Sequence, residues 1–248
     1  MKLKPFHIFV ATMLASMVAS SAKPNIVFML SDDQSWNGLS VGMHPVFAGS
    51  RGSVVRTPHL EKLAESGLRF SAAYAPAPVC SPTRIALQTG KSPAQLGWTK
   101  AAPTMTAADG YKLISPRNIR SISHDETTVA ELLKTAGYAT AHYGKWHING
   151  GGPEVHGYDE SDGETGNGDA APFKDPNPVD IFGMAGRAEA FMAKNSKAEK
   201  PFFIQMSFHA LHYPENARAT TVASVRERIR GGNEKQIGRI AIAEDLDE

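Results

Sequence analysis

The sequence is poor in cysteine, in net charge and in long apolar runs. Cys80 is the only cysteine among 248 residues, which excludes an intrachain disulfide. A formal net charge of +1 favours neither nucleic acid nor an anionic membrane surface as a partner. Beyond the N-terminal residues no apolar run is long enough to span a membrane. An apolar share of 42% is ordinary for one large α/β domain or two smaller ones.

The N-terminal residues have the layout of a secretory signal peptide. A basic start at residues 1–4 precedes an apolar stretch at residues 6–19 and the small residues 20–22. This layout predicts a signal peptide at residues 1–22, export to the periplasm or the extracellular space, and no membrane association after cleavage. The mature chain then comprises residues 23–248. The alternative is a buried N-terminal helix.

The pattern of the mature chain predicts an α/β fold with a mostly parallel sheet flanked by helices. Short apolar runs predict strands at residues 25–30, 68–74, 138–143 and 202–208. Caps and helical spacing predict helices at residues 58–66, 82–88, 129–136 and 181–192, and a last one from about residue 236. Residues 91–123 show no clear period and are predicted to form a long loop that supplies substrate contacts.

Two adjacent carboxylates, Asp32 and Asp33, follow the first predicted strand. In open α/β sheets ligands bind at the carboxyl ends of the strands. Burying two neighbouring carboxylates is costly unless a cation is present. The pair is therefore a candidate site for a hard cation such as Ca²⁺ or Mg²⁺. The alternative is a solvated turn that caps a helix.

Cys80 precedes a predicted helix whose N-cap is Ser81 and whose first residue is Pro82. The free N–H groups of a helix N-terminus favour anions and deprotonated groups. Arg84 lies about one turn further on, where it can donate to an oxygen or sulfur at position 80. The alternative is a buried cysteine that acts as a small hydrophobic residue, although its polar flanks are untypical of a core.

Basic side chains follow the two later strands. Lys145 and His147 alternate along an extended segment, so both are expected on one side, as a candidate anion site with a proton donor. A surface lysine and a structural histidine are the alternative. His209 and His212 are spaced so that they could bind a transition metal, but we prefer His212 as an acid or an anion contact.

Together these motifs resemble those of type I sulfatases of the alkaline-phosphatase-like superfamily. Residues 80–90, CSPTRIALQTG, are similar to the first sulfatase signature, and residues 137–147 to the second. Residues 23–33 resemble the family's opening strand and metal pair, and residues 202–214 its histidine segment. The four matches follow the family's order across nearly the whole mature chain.

The resemblance implies a nucleophile that is made after translation. A formylglycine-generating enzyme oxidises Cys80 to formylglycine, and the aldehyde hydrates. One hydroxyl attacks the sulfur of a sulfated small molecule or glycan, and the second then helps to expel sulfate. Asp32, Asp33 and the residue at position 80 would hold one Ca²⁺ ion, which activates the nucleophile and binds a sulfate oxygen.

The resemblance also implies roles for the basic residues. Arg84 would stabilise the hydrated aldehyde, and Lys145 would hold the sulfate oxygens. His147 would assist the diol. His212 would protonate the leaving alcohol or contact the sulfate.

The chain departs from the family in one respect. Sulfatases carry, further along, an Asp-Asn pair that completes the calcium site and a second lysine on the sulfate, and neither is found here. Residues 243–248 resemble a helix that precedes that segment, and the final helix has no stop signal. We therefore expect the N-terminal part of a longer catalytic domain, with weak Ca²⁺ binding and slow turnover by the 248-residue chain alone.

Two alternatives stay open at this point. One is a phosphate or phosphonate ester hydrolase of the same superfamily, although the single visible metal pair favours sulfate. The other is an inactive fragment in which Cys80 is a plain thiol.

Overall fold

The computed structural model describes residues 23–101, 109–110, 112–113 and 118–248. The predicted signal peptide at residues 1–22 lies outside the described residues, as does part of the predicted loop at residues 91–123. None of the described helices is long and apolar enough to cross a membrane.

A parallel sheet of four strands forms the centre of the fold. The strands are β1 (Ile26–Leu30), β2 (Ala139–Gly144), β3 (Glu160–Ser161) and β4 (Phe202–Ser207), in the order β1-β4-β2-β3. All three strand pairs are parallel. Leu30 and Gly144 both pair with Ser207, so β1, β4 and β2 end at the same edge. The predicted parallel α/β fold is confirmed.

Helices lie on both faces of the sheet. The α-helices are α1 (Pro58–Ser66), α2 (Cys80–Thr89), α3 (Val129–Thr135), α4 (Ile181–Lys197), α5 (Ala219–Arg228) and α6 (Glu234–Asp247). Short 3₁₀ turns span Ala48–Ser50, Glu154–His156 and Pro178–Asp180. On one face Phe203 of β4 packs with α2 and α3 through Ile85 and Ala130. On the other face Ile204 packs with Met184 of α4. Burial on both faces explains why β4 is a continuous apolar run.

Local signals mark the ends of two helices as predicted. Thr128 and Glu131 form a capping box, in which the Glu131 N–H donates to Thr128 Oγ1 at 3.2 Å and the Thr128 N–H donates to Glu131 Oε2 at 2.7 Å. Gly90 ends α2 with φ of 68°, and its N–H donates to the Ala86 carbonyl oxygen at 2.9 Å. Glycine adopts this left-handed conformation without steric cost.

The strand predicted at residues 68–74 is wrong. This segment forms turns and irregular structure, and Leu68, Phe70 and Tyr74 are 88%, 69% and 88% exposed. Its β-type composition has neither a neighbouring strand nor a buried face in the described structure. The pattern alone therefore did not specify a strand, because strand stability depends on partners.

Two helices begin earlier in the chain than predicted, and one helix was not predicted. α2 begins at Cys80 itself, with Val79 as its N-cap, so Ser81 and Pro82 lie inside the first turn. α6 begins at Glu234, because the Asn233 side chain accepts from the Gln236 N–H at 2.8 Å. The sequence predicted no helix at the position of α5. Val225 is its one fully buried residue, so its apolar face is too narrow to show helical spacing.

Candidate active site

The ends of three strands bring the predicted residues to one edge of the sheet. Backbone hydrogen bonds extend the sheet beyond β4 and β1: the Phe208 N–H donates to the Leu30 carbonyl oxygen at 2.9 Å, and the Asp32 N–H to that of Ala210 at 2.8 Å. The Lys145 N–H donates to the Ser207 carbonyl oxygen at 2.8 Å. These bonds connect the segments that follow the strands to the sheet.

Asp32, Arg84 and Lys145 form a buried charge cluster at this edge. Arg84 Nη2 lies 3.2 Å from Asp32 Oδ2, and Lys145 Nζ contacts the same oxygen. Arg84 Nη1 donates to the Lys145 carbonyl oxygen. The side chains of Arg84 and Lys145 are only 4% and 0% exposed. One carboxylate faces two cations, so one positive charge lacks a partner within the cluster. Because an uncompensated buried charge is costly, the cluster favours an anion beside it.

The two cations also determine the ionisation of Asp32. Burial alone would raise the pKa of this carboxyl, but Arg84 and Lys145 outweigh burial and hold its pKa below the usual value. Asp32 is therefore charged at neutral pH.

Cys80 and both acidic residues line one cleft. Its volume is about 310 Å³, and its walls include Asp32, Asp33, Thr83 and Arg84. Cys80 is partly exposed at the first turn of α2, where the helix N-terminus favours negative charge. Asp33 is exposed, and its φ of 58° lies in the left-handed region, which Asp enters more readily than most residues.

His147 lies near the cluster, but its backbone conformation differs from the predicted one. The segment after β2 is not extended, because His147 has φ of 55°. Lys145 points into the core towards Asp32, whereas His147 is half-buried and its Nδ1 atom has no hydrogen-bond partner. Burial first, and then the charges of Lys145 and Arg84, lower the pKa of His147 to about 4. The ring is therefore neutral at pH 7 and can accept a proton.

The histidines after β4 lie beside the cluster as well. His212 is half-buried, its Nδ1 atom lies 2.8 Å from the Tyr213 carbonyl oxygen, and it interacts electrostatically with Asp32. His209 is 7% exposed, and burial followed by the charges of Lys145 and Arg84 lowers its pKa to about 4. The sequence predicted His209 only as one half of a possible metal pair. Its position two residues beyond a buried strand was the signal for a role at the site.

The cleft contains some of the ligand types that a hard cation needs. Asp32 and Asp33 offer the carboxylate oxygens that hard cations prefer. Within the described part of the chain, however, no group of three or more His, Cys, Asp or Glu residues is arranged to hold a metal. One oxygen of Asp32 already accepts from Arg84 and Lys145. The donor chemistry fits Ca²⁺, but the set of ligands is incomplete.

Comparisons with known proteins point to the sulfatases. The family model "Sulfatase" matches residues 24–239. Human arylsulfatase A is 29% identical over 242 residues, covering 82% of this chain and 44% of the relative. Mouse N-acetylgalactosamine-6-sulfatase is 38% identical over 142 residues, covering 55% of this chain and 25% of the relative. These curated relatives are sulfuric ester hydrolases by name.

Solved structures share the fold. The crystal structure of Ps i-CgsB superposes with a TM-score of 0.70 at 22% identity, covering 91% of this chain and 52% of that one. A protein solved with its substrate D-glucosamine-2-N,6-O-disulfate gives 0.62 at 24% identity, covering 86% and 39%. A protein of the alkaline phosphatase superfamily from Vibrio parahaemolyticus gives 0.53 at 20% identity, covering 92% and 48%.

The chain spans less than half the length of the curated relatives named here and about half of the Ps i-CgsB chain. It matches the family model over most of its own length, and its sheet and flanking helices are those of the alkaline-phosphatase-like structures. The chain therefore belongs to the sulfatase family.

Proposed function

We propose that this chain carries the sulfate-binding and nucleophile-bearing part of an enzyme that hydrolyses sulfate esters. One observation carries the proposal: the buried cluster of Asp32, Arg84 and Lys145 has an unpartnered positive charge next to Cys80 at a helix N-terminus. A sulfate monoester has one negative charge, and this charge would compensate that of the cluster. The sulfatase relatives support the same chemistry.

The residues of the site take distinct roles in the proposal. Position 80, once oxidised to formylglycine by a formylglycine-generating enzyme and hydrated by the addition of water, supplies the nucleophilic hydroxyl. Arg84 lies one turn along α2 and holds the oxygens of that group. Lys145 holds the sulfate oxygens. His147 assists the hydrated aldehyde, and His212 donates a proton to the leaving alcohol or contacts the sulfate.

A single Ca²⁺ ion belongs to the proposal. Asp32, Asp33 and the residue at position 80 would hold it, and the bound ion would supply Lewis-acid chemistry towards a sulfate oxygen. Further ligands are needed, since the described residues do not complete the set.

The proposed substrate is a sulfated sugar, either a small molecule or a glycan. One structural relative was solved with D-glucosamine-2-N,6-O-disulfate, and another relative is named an ulvan-active sulfatase. We also propose export to the periplasm or the extracellular space, on the N-terminal pattern of residues 1–22.

Mass spectrometry and an esterase assay test the proposal together. In a host that contains the modifying enzyme, we expect the tryptic peptide 70–84 to be lighter than the thiol form and to react with hydrazides. We expect 4-nitrophenyl sulfate to be hydrolysed faster than 4-nitrophenyl phosphate. A Cys80→Ala variant should lose the activity, while Lys62→Ala, an exposed change on α1, is the control.

Two outcomes would contradict the proposal. An unmodified thiol in a competent host would leave an inactive fragment as the better account. Faster hydrolysis of the phosphate ester would favour a phosphatase of the same superfamily.

A further inference from the structure

The loop between β1 and α1 carries an apolar tip, which consists of residues 45–49, PVFAG, and the ring of Trp36. All five residues of the run are exposed, and Val46 and Phe47 are 88% and 54% exposed. Trp36 is 52% exposed, and its ring stacks on that of Phe47 with centroids 5.7 Å apart and planes at 9°. In protein design a run of about four exposed apolar residues counts as an error unless it is functional. The tip is therefore a candidate interaction surface.

Hydrogen bonds inside the loop fix the turn that carries the tip. His44 Nδ1 accepts from the N–H groups of Val46 and Phe47 at 3.3 and 3.1 Å. Ser50 is buried, and its hydroxyl accepts from the His44 N–H at 3.0 Å and donates to the Phe47 carbonyl oxygen at 2.7 Å. The apolar side chains are thus displayed by an internally bonded turn.

The same hydrogen bonds indicate which kind of partner fits the tip. Pro45 has no N–H group, and the N–H groups of Val46 and Phe47 are already donated to His44. The side chains of residues 45–49 contain no polar atom. Backbone polar groups without partners are costly in hydrocarbon, and the turn satisfies these groups internally. The tip therefore suits the acyl chains of lipids better than a sugar, whose hydroxyls need hydrogen-bond partners.

Size and charge favour a lipid surface over a protein partner. A stable protein interface involves about 20–30 residues on each side, far more than the tip provides. Residues 43–49 contain no Lys, Arg, Asp or Glu, so the tip does not select an anionic surface. Tryptophan rings favour the boundary between acyl chains and headgroups, and Trp36 is stacked beside Phe47 in a position that suits this boundary.

We propose that the tip inserts into the surface of a zwitterionic phospholipid bilayer and holds the mature protein there reversibly. Val46 and Phe47 enter the acyl-chain region, and Trp36 lies at the level of the headgroups. Binding is weak, since even one myristoyl chain gives an association constant of only about 10⁴ M⁻¹. The sequence-based expectation of no membrane association rested on the N-terminal pattern and the net charge, and neither reports the exposure of a loop.

The tip belongs to a loop that borders the candidate active site. Asp33, Asn37 and Val54 line one cavity of about 200 Å³, so both arms of the loop lie beside the carboxyl end of β1. A protein held by the tip would keep this edge of the sheet close to the lipid surface. The proposal itself does not depend on the proposed sulfatase chemistry.

Trp36 reports directly on the proposed insertion, because Trp98 and Trp146 are only 4% and 1% exposed. The mature chain, residues 23–248, is mixed with phosphatidylcholine vesicles, since the apolar stretch of the predicted signal peptide would itself bind lipid. We expect the fluorescence emission of Trp36 to shift to shorter wavelength and the protein to sediment with the vesicles. Trp36→Phe should abolish the shift and retain the sedimentation.

Phe47→Ser and Phe70→Ser form a matched pair of variants. Phe70 is 69% exposed, like Phe47 an exposed aromatic residue, but it lies outside the tip. Phe47→Ser should weaken binding to the vesicles by about tenfold or more, because it removes the largest inserted side chain. Phe70→Ser should change binding by less than about twofold. Circular dichroism melting confirms that each variant is folded.

Three results would overturn the proposal. The wild-type chain could fail to sediment with the vesicles and show no shift in emission. Equal losses in Phe47→Ser and Phe70→Ser would show that binding is not specific to the tip. Binding that required phosphatidylserine would be electrostatic rather than apolar. If the chain instead formed a dimer that Phe47→Ser dissociated, the tip would be an interface between two copies.

Discussion

At the scale of single residues, the site depends on a contact between residues far apart in the sequence. Lys145 and Asp32 follow strands β2 and β1, and β4 lies between those strands. Lys145 therefore reaches past the end of β4 to contact Asp32. Lys145 has no exposed surface, and the contact holds its ammonium group against Asp32.

Lys145→Met should weaken the binding of inorganic sulfate while the chain stays folded. Methionine fills a similar volume, and Arg84 remains 3.2 Å from Asp32 as its partner. The cluster loses its excess positive charge, so we expect affinity for sulfate to fall by about tenfold or more, as for the loss of a charged hydrogen bond. Isothermal calorimetry measures the change, with Lys62→Met as control. Equal sulfate affinities for wild type and Lys145→Met would contradict this account.

The members of this cluster could be predicted from the sequence, but their mutual contacts could not. Asp32 and Lys145 each stand within two residues of a strand's carboxyl end, and that position was visible. The contact between them depends on the strand order, which a linear pattern does not contain. The left-handed backbone conformation of His147, with φ of 55°, could not be predicted from the sequence either. Tertiary contacts hold a non-glycine residue in that conformation.

At the scale of elements, a buried polar network fixes α2 to the sheet. Gln88 Nε2 donates to Gln205 Oε1 at 2.9 Å, and the Tyr158 hydroxyl lies 3.0 Å from the Oε1 atoms of both. Gln205 Nε2 donates in turn to Ser207 Oγ at 3.0 Å, which lies 3.2 Å from His142 Nε2. All five side chains are buried. The network thus sets the position of the helix that carries Cys80 and Arg84.

Gln88→Leu should lower the free energy of unfolding by about 1–3 kcal/mol, since it removes a buried donor and leaves Gln205 partly unsatisfied. Urea denaturation measures the effect. Gln95→Leu, at an exposed position, should change the stability by less than about 0.5 kcal/mol. A similar small effect at both positions would show that the network does not hold α2.

The sequence predicted those elements whose signals were local. The strands β1, β2 and β4 were found because each is a short apolar run bounded by Gly, Pro or acidic residues. The false strand at residues 68–74 and the missed helix α5 have a common cause. In both segments the secondary structure depends on neighbouring elements. Residues 68–74 lack a pairing strand, whereas α5 is stabilised by packing against α6 through Val225, Ile237 and Ala241.

At the scale of the whole molecule, buried neutral histidines make the fold sensitive to acid. Burial first, and then the charge of Arg84, lower the pKa of His142 to about 3, and the pKa of His209 is about 4. The unfolded chain binds a proton at each site near pH 6.5, but the folded chain does not. Stability is therefore full above that pH and is lost as the pH falls towards the folded pKa values.

We expect proton uptake by each of these two histidines on unfolding to lower the free energy of unfolding by about 2 kcal/mol at pH 5 relative to pH 7. Urea midpoints measured between pH 7 and pH 5 would show the loss. His142→Gln should reduce the number of protons taken up on unfolding by about one. A pH profile unchanged by His142→Gln would argue that this ring is charged in the fold.

The burial of Arg84 has a consequence for the order of events in maturation. Pro82 is buried, and the Arg84 side chain is 4% exposed, so an enzyme that recognises the residues around Cys80 finds neither side chain on the folded surface. Under the proposed function, oxidation of Cys80 must therefore come before folding. A chain that folds first would be trapped as a thiol, and later contact with the modifying enzyme would not rescue it. Unfolding the chain and presenting it to the modifying enzyme again should allow the modification.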